Sequence, residues 1–344
     1  MDESTIFKNE ETLSSEYLPD ILPHREQQIK ELSKNLLPAS EGRKPINTFI
    51  FGASGIGKTA SVKFVFREFE NFSGVKTVYV NCWDYKTSVA LLSKITIDLG
   101  YPIQRRGWAK DEIVNRFVET INKKGKSLII CLDEVDQLDQ DALYDLLRIN
   151  QYVKSPVGLI FISNNSHVFA TLEPRIKSSL AADDIEFKPY SLEEMKKILG
   201  ERVKDAFTSV ENGAIAIIAN QAVNKGGDVR IGLQHLLKAG RLAEQENSDK
   251  LTVEHVKKVL KEVKAVKPEI MKEKINEHEK NILNMMEKDQ IIQTGDLYIK
   301  YSESVSSPVS DRMFRDCLNH LAQLNLVKIR KRKLKGSIRL VSKV

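Results

Sequence analysis

The chain has 344 residues, which is too long for one domain of ordinary size and predicts two or three folded units. Hydrophobic residues make up 41% of it and charged residues 29%, a composition typical of folded proteins that excludes a disordered chain. The formal net charge is only +6, so the distribution of charge along the chain is more informative than its sum.

Membrane and secretory segments are not predicted. No apolar run approaches the ~20 residues that cross a bilayer, and the N-terminus is acidic where a secretory signal would be basic and then apolar. The cysteines are far apart, with neither metal-ligand nor redox spacing: Cys82, Cys131 and Cys317. We expect small buried thiols in a reducing cytosol, hence a cytoplasmic protein with no membrane partner.

Five short apolar runs alternate with helical patterns in the first half of the chain. The runs are Thr48–Phe51, Thr77–Val80, Leu128–Leu132, Leu159–Ile162 and Ile185–Phe187. Continuous apolar runs separated by helices are typical of buried parallel strands with helices on both faces of the sheet. They predict an α/β core within residues 1–190.

The segment Gly52-Ala-Ser-Gly-Ile-Gly-Lys-Thr59 matches the P-loop pattern. It follows a predicted strand and opens a predicted helix, a context that a chance glycine-rich turn does not require. The glycines let backbone N–H groups face phosphate oxygens, and the helix N-terminus adds partial positive charge. The pattern therefore predicts an ATP/ADP site in which Lys58 pairs with the β- and γ-phosphates and Thr59 ligates Mg²⁺. The other predicted loop contacts are Gly55, Ile56, Gly57 and Ala60.

Polar side chains follow the next two strands. The carboxyl ends of strands are where open α/β sheets bind ligands. Asp133 is placed to hold Mg²⁺ through water, and Glu134 to polarise the attacking water. An ordinary solvated loop is the alternative for the two acids, but their position downstream of a P-loop favours the site. Asn164 either orients the same water or belongs to a turn, for which Asn164-Asn165 is suited.

From Ser191 the pattern becomes helical. Ser191-Leu-Glu-Glu194 is a capping box, in which serine and glutamate side chains satisfy each other's backbone N–H groups. Helical periodicity continues through Ala214–Ala222, Ile231–Leu242 and Val253–Val263. We predict a small helical domain over residues 191–265, followed by a Lys- and Glu-rich linker containing Pro268.

Residues 275–344 predict a third unit. Its expected elements are helices near Glu279–Glu287, Thr294–Tyr301 and Pro308–Leu324, then strands Val327–Arg332 and Ser337–Val341. The third helix is predicted to start at Ser307 and Pro308. One face carries Arg312, Arg315, Asn319 and Gln323, and the other carries an apolar stripe of Met313, Phe314, Cys317, Leu318 and Leu321. Arginine and amide side chains on an exposed helix face suit readout of a DNA major groove.

The last residues are strongly basic. From Val327 to Val344 there are eight Lys and Arg residues and no acid. Alternating apolar residues favour two strands over a solvated basic tail, so helices followed by a basic hairpin predict a winged helix. The hairpin is expected to lie on a phosphate backbone or in a minor groove. Its predicted contacts are Arg330, Arg332, Lys333 and Lys335.

These motifs together resemble one family, and further segments carry the resemblance. They are Leu18-Pro19, Leu22-Pro-His-Arg-Glu26, Asp133-Glu-Val-Asp136, Ile162-Ser-Asn164, Pro174-Arg-Ile-Lys-Ser-Ser179 and Gly227-Asp-Val-Arg230. Over essentially its whole length from Ile6, the chain resembles archaeal replication initiators of the combined origin-recognition and cell-division-control type. The resemblance implies an α/β AAA+ P-loop core, a helical lid and a C-terminal winged-helix domain.

The resemblance also implies roles for single residues. Asn164 would be the first sensor, Arg230 a second sensor reaching the γ-phosphate from the lid, and Arg175 an arginine finger offered to a neighbouring molecule. The segment from Tyr17 to Arg25 would cover the adenine. Its implied contacts are Tyr17, Pro19, His24 and Arg25.

A helical insertion between about Trp83 and Lys110 would touch DNA, through Arg105 and Arg106. The plainer alternatives are a surface lid arginine for Arg230, a helix-start residue paired with Glu173 for Arg175, and a solvated turn for Arg105-Arg106. In one departure from the pattern, Ser179 stands where some relatives have a second arginine.

The implied function is an ATP-dependent initiator that binds double-stranded origin DNA and uses slow ATP hydrolysis as a switch. The resemblance implies further partners: a paralogous initiator on adjacent DNA and the replicative helicase. It also implies a nucleoid-associated location. A transcription regulator or replication repressor on the same scaffold is the alternative, and a remodelling ATPase such as a clamp loader or helicase is another. The winged helix disfavours the remodelling enzyme.

Overall fold

A computed structural model describes residues 6–102, 108–170, 172–261, 275–287, 291–305, 307–323, 326–334 and 336–343. Within them the chain forms two compact units, divided between Val256 and Lys257.

Among the described residues, the first unit contains five strands and nine complete α-helices, and the division falls within a tenth, α10. The strands are β1 Asn47–Gly52, β2 Lys76–Asn81, β3 Leu128–Asp133, β4 Val157–Ser163 and β5 Ala182–Phe187. The helices are α1 Glu26–Ser40, α2 Lys58–Ser73, α3 Ser88–Asp98, α4 Lys110–Lys124, α5 Gln140–Arg148, α6 Pro174–Leu180, α7 Leu192–Ala206, α8 Asn212–Asn224, α9 Val229–Gln245 and α10, residues 253–261.

The five strands form one parallel sheet in the order β2-β3-β4-β1-β5. The predicted α/β core is thus confirmed, with each expected strand present. All residues of β3 and β4 are buried, because central parallel strands are covered on both faces. The carboxyl ends of β1, β3 and β4 lie side by side at one edge, where the P-loop and the acidic motif begin.

Helices α7 to α10 form the helical lid. The capping box predicted at the start of α7 is present: Ser191 accepts from the Glu194 N–H, and Glu194 accepts from the Ser191 N–H at 2.8 Å. Asp228 caps α9 by accepting from the Arg230 N–H at 2.9 Å. That cap places the first turn of α9 beside the P-loop, since the Val229 N–H donates to the Gly55 carbonyl at 3.0 Å.

The second unit has helices α11 Glu277–Asn284, α12 Thr294–Ser304 and α13 Asp311–Gln323, with strands β6 Ile291–Gln293, β7 Val327–Leu334 and β8 Gly336–Lys343. Its sheet has the order β6-β8-β7, and both pairings are antiparallel. Helix, strand, helix, helix and two strands is the order of a winged helix. The short strand β6 was not predicted, because three residues are too few to show a period of two.

The start of α13 corrects one expectation. The helix begins at Asp311 and not at Ser307-Pro308. The hydroxyl of Ser310 accepts from the Met313 N–H at 3.4 Å and its carbonyl accepts from the Phe314 N–H, so Ser310 occupies the capping position. The buried face of α13 is the predicted apolar stripe: Phe314, Cys317, Leu318 and Leu321 are buried. Met313 is the exception and is 52% exposed.

Candidate functional site: a nucleotide cavity at the sheet edge

The P-loop connects the end of β1 to the start of α2. Gly55 and Gly57 have φ angles of 72° and 94°, which L side chains rarely adopt. A Cβ on Gly55 would also lie 1.9 Å from the carboxylate of Asp228, so only glycine lets the loop and the lid approach this closely. The first N–H groups of α2 have no partner within the helix, which makes this end suited to phosphate oxygens.

Lys58 is the first residue of α2 and is only 6% exposed. Its ammonium donates to the Gly52 carbonyl at 2.9 Å, to the Ala53 carbonyl at 2.7 Å and to Oδ1 of Asn164 at 2.8 Å. Burial lowers the pKa of Lys58, against the opposing influence of Asp133 and Glu134. The lysine is therefore a buried cation that donates to three oxygen atoms, a character that suits a phosphate partner.

Asp133 ends β3, and its carboxylate is held from three sides. Oδ2 accepts from the Thr59 hydroxyl at 2.6 Å and from the Tyr79 hydroxyl at 2.7 Å, while Oδ1 accepts from the Glu134 N–H at 2.9 Å. No three His, Cys, Asp or Glu side chains gather as metal ligands within the described part of the chain. A carboxylate beside a threonine hydroxyl fits Mg²⁺ instead, which protein sites bind with few carboxylates and with substrate phosphates.

Glu134 follows Asp133 with a left-handed backbone, at a φ of 53°. The amide of Asn164 donates to its two carboxylate oxygens at 3.0 and 3.2 Å. Asn164 thus contacts Glu134 through its NH₂ group and Lys58 through its oxygen. Burial raises the pKa of Glu134, with further contributions from Asp133 and Asp136. A carboxylate with a raised pKa is a better proton acceptor for water.

Arg230 enters the same region from the lid helix α9. Its guanidinium donates to the Ser54 hydroxyl at 2.7 Å and pairs with Asp228 at 2.8 Å. The hydrogen bond to Asp228 raises the pKa of Arg230, so it is a permanent cation. Lid and P-loop are consequently joined by a charged contact and by the Val229–Gly55 backbone bond.

A cavity of about 760 Å³ lies between the sheet edge, the lid and the N-terminal segment, residues 6–25. From the P-loop and sheet edge it is lined by Gly55, Gly57, Lys58, Thr59, Ala60, Asp133, Glu134 and Asn164. From the N-terminal segment and the lid, the lining includes Tyr17, Pro19, Arg202 and Asp205. The structure therefore brings the predicted phosphate residues and two of the predicted adenine residues to one cavity.

Three residues predicted to contact the nucleotide, His24, Arg25 and Ile56, are not among the described residues that line the cavity. Arg25 is 4% exposed and donates to the Ile56 carbonyl at 2.8 and 3.1 Å and to the Lys188 carbonyl at 2.9 Å. Its guanidinium also lies 3.8 Å from the centre of the Tyr190 ring. Arg25 supports the P-loop from behind, since a buried guanidinium requires acceptors for its donors.

Comparison with known proteins identifies the family. Residues 43–169 match the AAA domain, and residues 196–261 match the Cdc6 AAA+ ATPase-type lid domain. The ORC1-type DNA replication protein 1 of Archaeoglobus fulgidus is 34% identical over 346 residues, which cover 94% of this chain and 84% of that protein. Its counterpart in Sulfurisphaera tokodaii is 34% identical over 95% of this chain and 87% of its own length. The chain belongs to the family of ORC1-type DNA replication proteins.

Solved structures agree with this assignment. The Aeropyrum pernix ORC1 protein in complex with DNA has a TM-score of 0.76 at 30% identity, covering 100% of this chain and 94% of that chain. Cdc6p from Pyrobaculum aerophilum has a TM-score of 0.68 at 23% identity over 98% and 94% of the two chains, which shows a shared fold. Membership of this ATPase family implies nucleotide binding, and the buried Lys58 and left-handed glycines fit that ligand.

The structure describes the side chains of only some of the predicted DNA contacts and does not describe that of Arg175, the proposed arginine finger. Arg312, Arg315, Asn319 and Arg330 are exposed. Arg315 is paired with Asp311 at 2.5 Å, one helical turn before it. Arg105, Arg106 and Lys335 lie outside the described residues. The backbones of Arg175, Arg332 and Lys333 lie in α6 and β7, and their side chains lie outside the described part.

Sequence reasoning missed Tyr79 and Arg202. Tyr79 lies within β2, and only the order of strands in the sheet makes it a neighbour of Asp133. Arg202 lies in α7 and donates to backbone carbonyls of the N-terminal segment, 190 and 185 residues away in sequence, so no local pattern marks it.

None of the described helices combines the length and apolar character that crossing a bilayer requires.

Proposed function

We propose that this protein is an ATP-dependent replication initiator that binds double-stranded origin DNA and uses slow ATP hydrolysis as a switch. The observation that carries the proposal is the single cavity lined by Lys58, Asp133, Glu134 and Asn164 on one side and Arg230 on the other. Since Arg230 belongs to the lid, a nucleotide between these residues contacts both parts. Nucleotide state and lid position are then linked.

The residues divide the chemistry as follows. Lys58 binds the β- and γ-phosphates, while Thr59 and Asp133 hold Mg²⁺, which supplies positive charge to the phosphate oxygens when bound. Glu134 accepts a proton from the attacking water, Asn164 orients that water, and Arg230 neutralises charge on the γ-phosphate. The Asn164 amide donates to both carboxylate oxygens of Glu134, so the base and the water-orienting amide are held together, and the carboxylate keeps free lone pairs for the proton of water.

The DNA contacts belong to the second unit and to the segment between α3 and α4. We propose that Arg312, Arg315 and Asn319 read base edges from α13, and that basic residues of the hairpin bind phosphates. Those hairpin residues are Arg330, Arg332, Lys333 and Lys335, and Arg105 and Arg106 add contacts from the first unit. The support is the exposure of the α13 residues and the 30% identical Aeropyrum protein solved with DNA.

Arg175 is proposed to approach the nucleotide of an adjacent molecule, so that a paralogous initiator bound to neighbouring DNA completes the site. The replicative helicase is proposed as a further binding partner. Both follow from family membership, and α6 places the backbone of Arg175 immediately after Pro174 at a helix start.

Footprinting across genomic DNA tests the proposal. Purified protein is incubated with fragmented genomic DNA in ATP, in ADP and without nucleotide, and protected sites are mapped. We expect a few strong sites at replication origins, with protection that differs between ATP and ADP. Protection confined to promoters would instead identify a transcription regulator. Rapid continuous turnover without DNA dependence would contradict the switch and favour a remodelling enzyme.

A further inference from the structure

Tyr79 makes a contact that none of the motifs accounts for. Its hydroxyl donates to Oδ2 of Asp133 at 2.7 Å, the same oxygen that accepts from Thr59 at 2.6 Å. Both residues line the nucleotide cavity. A tyrosine from a neighbouring strand therefore binds the carboxylate expected to face Mg²⁺.

The sheet fixes this contact. In the parallel pairing of β2 with β3, Tyr79 lies opposite Cys131 and Asn81 opposite Asp133. The Cys82 N–H donates to the Asp133 carbonyl at 2.9 Å, so the chain after β2 holds the backbone of Asp133 as well. Because side chains alternate along a strand, Tyr79 and Asn81 share a face, and both line the cavity.

The tyrosine ring is itself held in place. The ammonium of Lys63 lies 4.7 Å from its centre, and the side chain is half-buried beside α2. With the ring held in this way, the hydroxyl is an oriented donor to Oδ2 of Asp133.

We propose that Tyr79 is a positioning residue for the divalent cation of the nucleotide site, acting through Asp133. This inference rests on the nucleotide site proposed above. With Oδ1 bound to the Glu134 N–H and Oδ2 bound to two hydroxyls, the carboxylate plane cannot rotate. Thr59 would ligate the cation through a lone pair and could keep donating its proton to Oδ2, so Tyr79 is the second donor that fixes this oxygen. Partners of this kind commonly set metal affinity by 10–100-fold.

The test is cation binding, measured apart from hydrolysis. Wild type and Tyr79→Phe are loaded with ADP, and Mn²⁺ is titrated while electron paramagnetic resonance reports the free ion. We expect Tyr79→Phe to bind Mn²⁺ about tenfold more weakly. Its affinity for ADP in EDTA should stay within twofold of wild type. The matched control is Tyr152→Phe, which removes a hydroxyl bonded to Arg148 at 2.9 Å outside the cavity lining, and it should behave as wild type.

A second variant separates the hydroxyl from the ring. Tyr79→Leu removes both, and thermal unfolding in EDTA reports whether each variant is folded. Wild-type Mn²⁺ affinity in Tyr79→Phe together with loss in Tyr79→Leu would assign the effect to ring packing and overturn the proposal. Unchanged affinity in both variants would overturn it too. Failure of the wild-type protein itself to bind Mn²⁺ with ADP would contradict the nucleotide site and not the role of Tyr79 within it.

Discussion

Arg202 of the lid helix α7 lies 4.9 Å from the centre of the Tyr17 ring and donates to the Tyr17 carbonyl at 3.2 Å. It also donates to the Thr12 carbonyl at 3.2 Å. At the other end of the same segment, Arg25 donates to the P-loop carbonyl of Ile56. The residues that flank the cavity from the N-terminal side are thus bound to the lid at one end and to the base at the other.

Loss of the contacts between Arg202 and the N-terminal segment should weaken binding of the part of the nucleotide that Tyr17 is proposed to cover. Arg202→Met keeps a long apolar side chain but removes both hydrogen bonds and the cation over Tyr17. We expect ADP affinity to fall by roughly ten- to 150-fold, since one charge-assisted hydrogen bond contributes about 1.5–3 kcal/mol. Pyrophosphate, which has no base to cover, should bind as before. Competition with a fluorescent ADP analogue measures both ligands.

The control for Arg202→Met is Arg43→Met, because the Arg43 side chain is 69% exposed and, within the described part of the chain, pairs with Glu41 two residues before it. Equal losses of ADP and pyrophosphate affinity in Arg202→Met would show that the lid as a whole has moved. In that case the contact with Tyr17 has no special role.

Local motifs were enough to place the phosphate end of the cavity. Lys58, Asp133 and Glu134 were predictable because a P-loop and an acidic strand end each carry their own spacing and context. Asn164 was left open between a water-orienting role and a turn. The structure places it between Lys58 and Glu134, at 2.8 Å from one and 3.0 Å from the other.

The rest of the site depends on tertiary neighbours that no local pattern encodes. Tyr79 reaches Asp133 only because β2 lies next to β3, and Arg202 reaches Tyr17 only because α7 packs against the N-terminal segment. Arg25 was expected at the adenine, and burial turned its guanidinium to backbone carbonyls instead. The start of α13 was misplaced because Ser310, three residues after Ser307, occupies the capping position.

Replacing Lys58 should weaken nucleotide binding, because the positive charge on its side chain is lost. Lys58→Ala deletes a buried cation that contacts Asn164 and two P-loop carbonyls. Each lost charge-assisted bond to phosphate is worth about 1.5–3 kcal/mol, so ATP affinity should fall by one to two orders of magnitude or more. Isothermal titration of ATP measures the loss. Binding equal to wild type would remove the P-loop assignment.

Glu134 should control hydrolysis without controlling binding. Glu134→Gln keeps the shape of the side chain but cannot accept a proton, so ATP should bind normally and turnover should stop. In wild type, burial, Asp133 and Asp136 raise the pKa of Glu134. A base works only when deprotonated, so turnover should fall as the pH drops through a pKa above the ordinary range of glutamate.

Asp136→Asn supplies the matched test of that pH dependence. It removes one of the negative charges that raise the pKa of Glu134, so the acidic limb of the turnover profile should move to lower pH. The limb is measured by single-turnover phosphate release between about pH 4.5 and 8 in buffers of constant ionic strength. A limb that stays in place, or moves to higher pH, would exclude Glu134 as the group that titrates.

The second unit should divide its work on DNA between α13 and the hairpin. Arg315 and Asn319 are exposed on the face of α13 opposite Phe314 and Leu318, so they can reach base edges. Arg315 must leave Asp311 to do so, which reduces its net contribution. Replacing Arg315 or Asn319 with Ala should cost about 1–3 kcal/mol on a footprinted site and much less on a scrambled duplex.

Arg330 and Arg332 lie two residues apart in β7, within a strand that contains no acid. Contacts from such a strand should be mainly to phosphates, and each releases counterions, giving a slope of roughly −0.9 per contact in log affinity against log salt. Replacing Arg330 and Arg332 together with neutral residues should make the slope less steep by up to about two log units of affinity per log unit of salt. Binding to both duplexes should weaken equally. Salt titrations of the two sets of variants on both duplexes measure the division. If the hairpin variant loses preference for the footprinted site while the α13 variants lose only salt-dependent affinity, the two roles are reversed. If neither set of variants alters DNA binding, the second unit instead docks a protein.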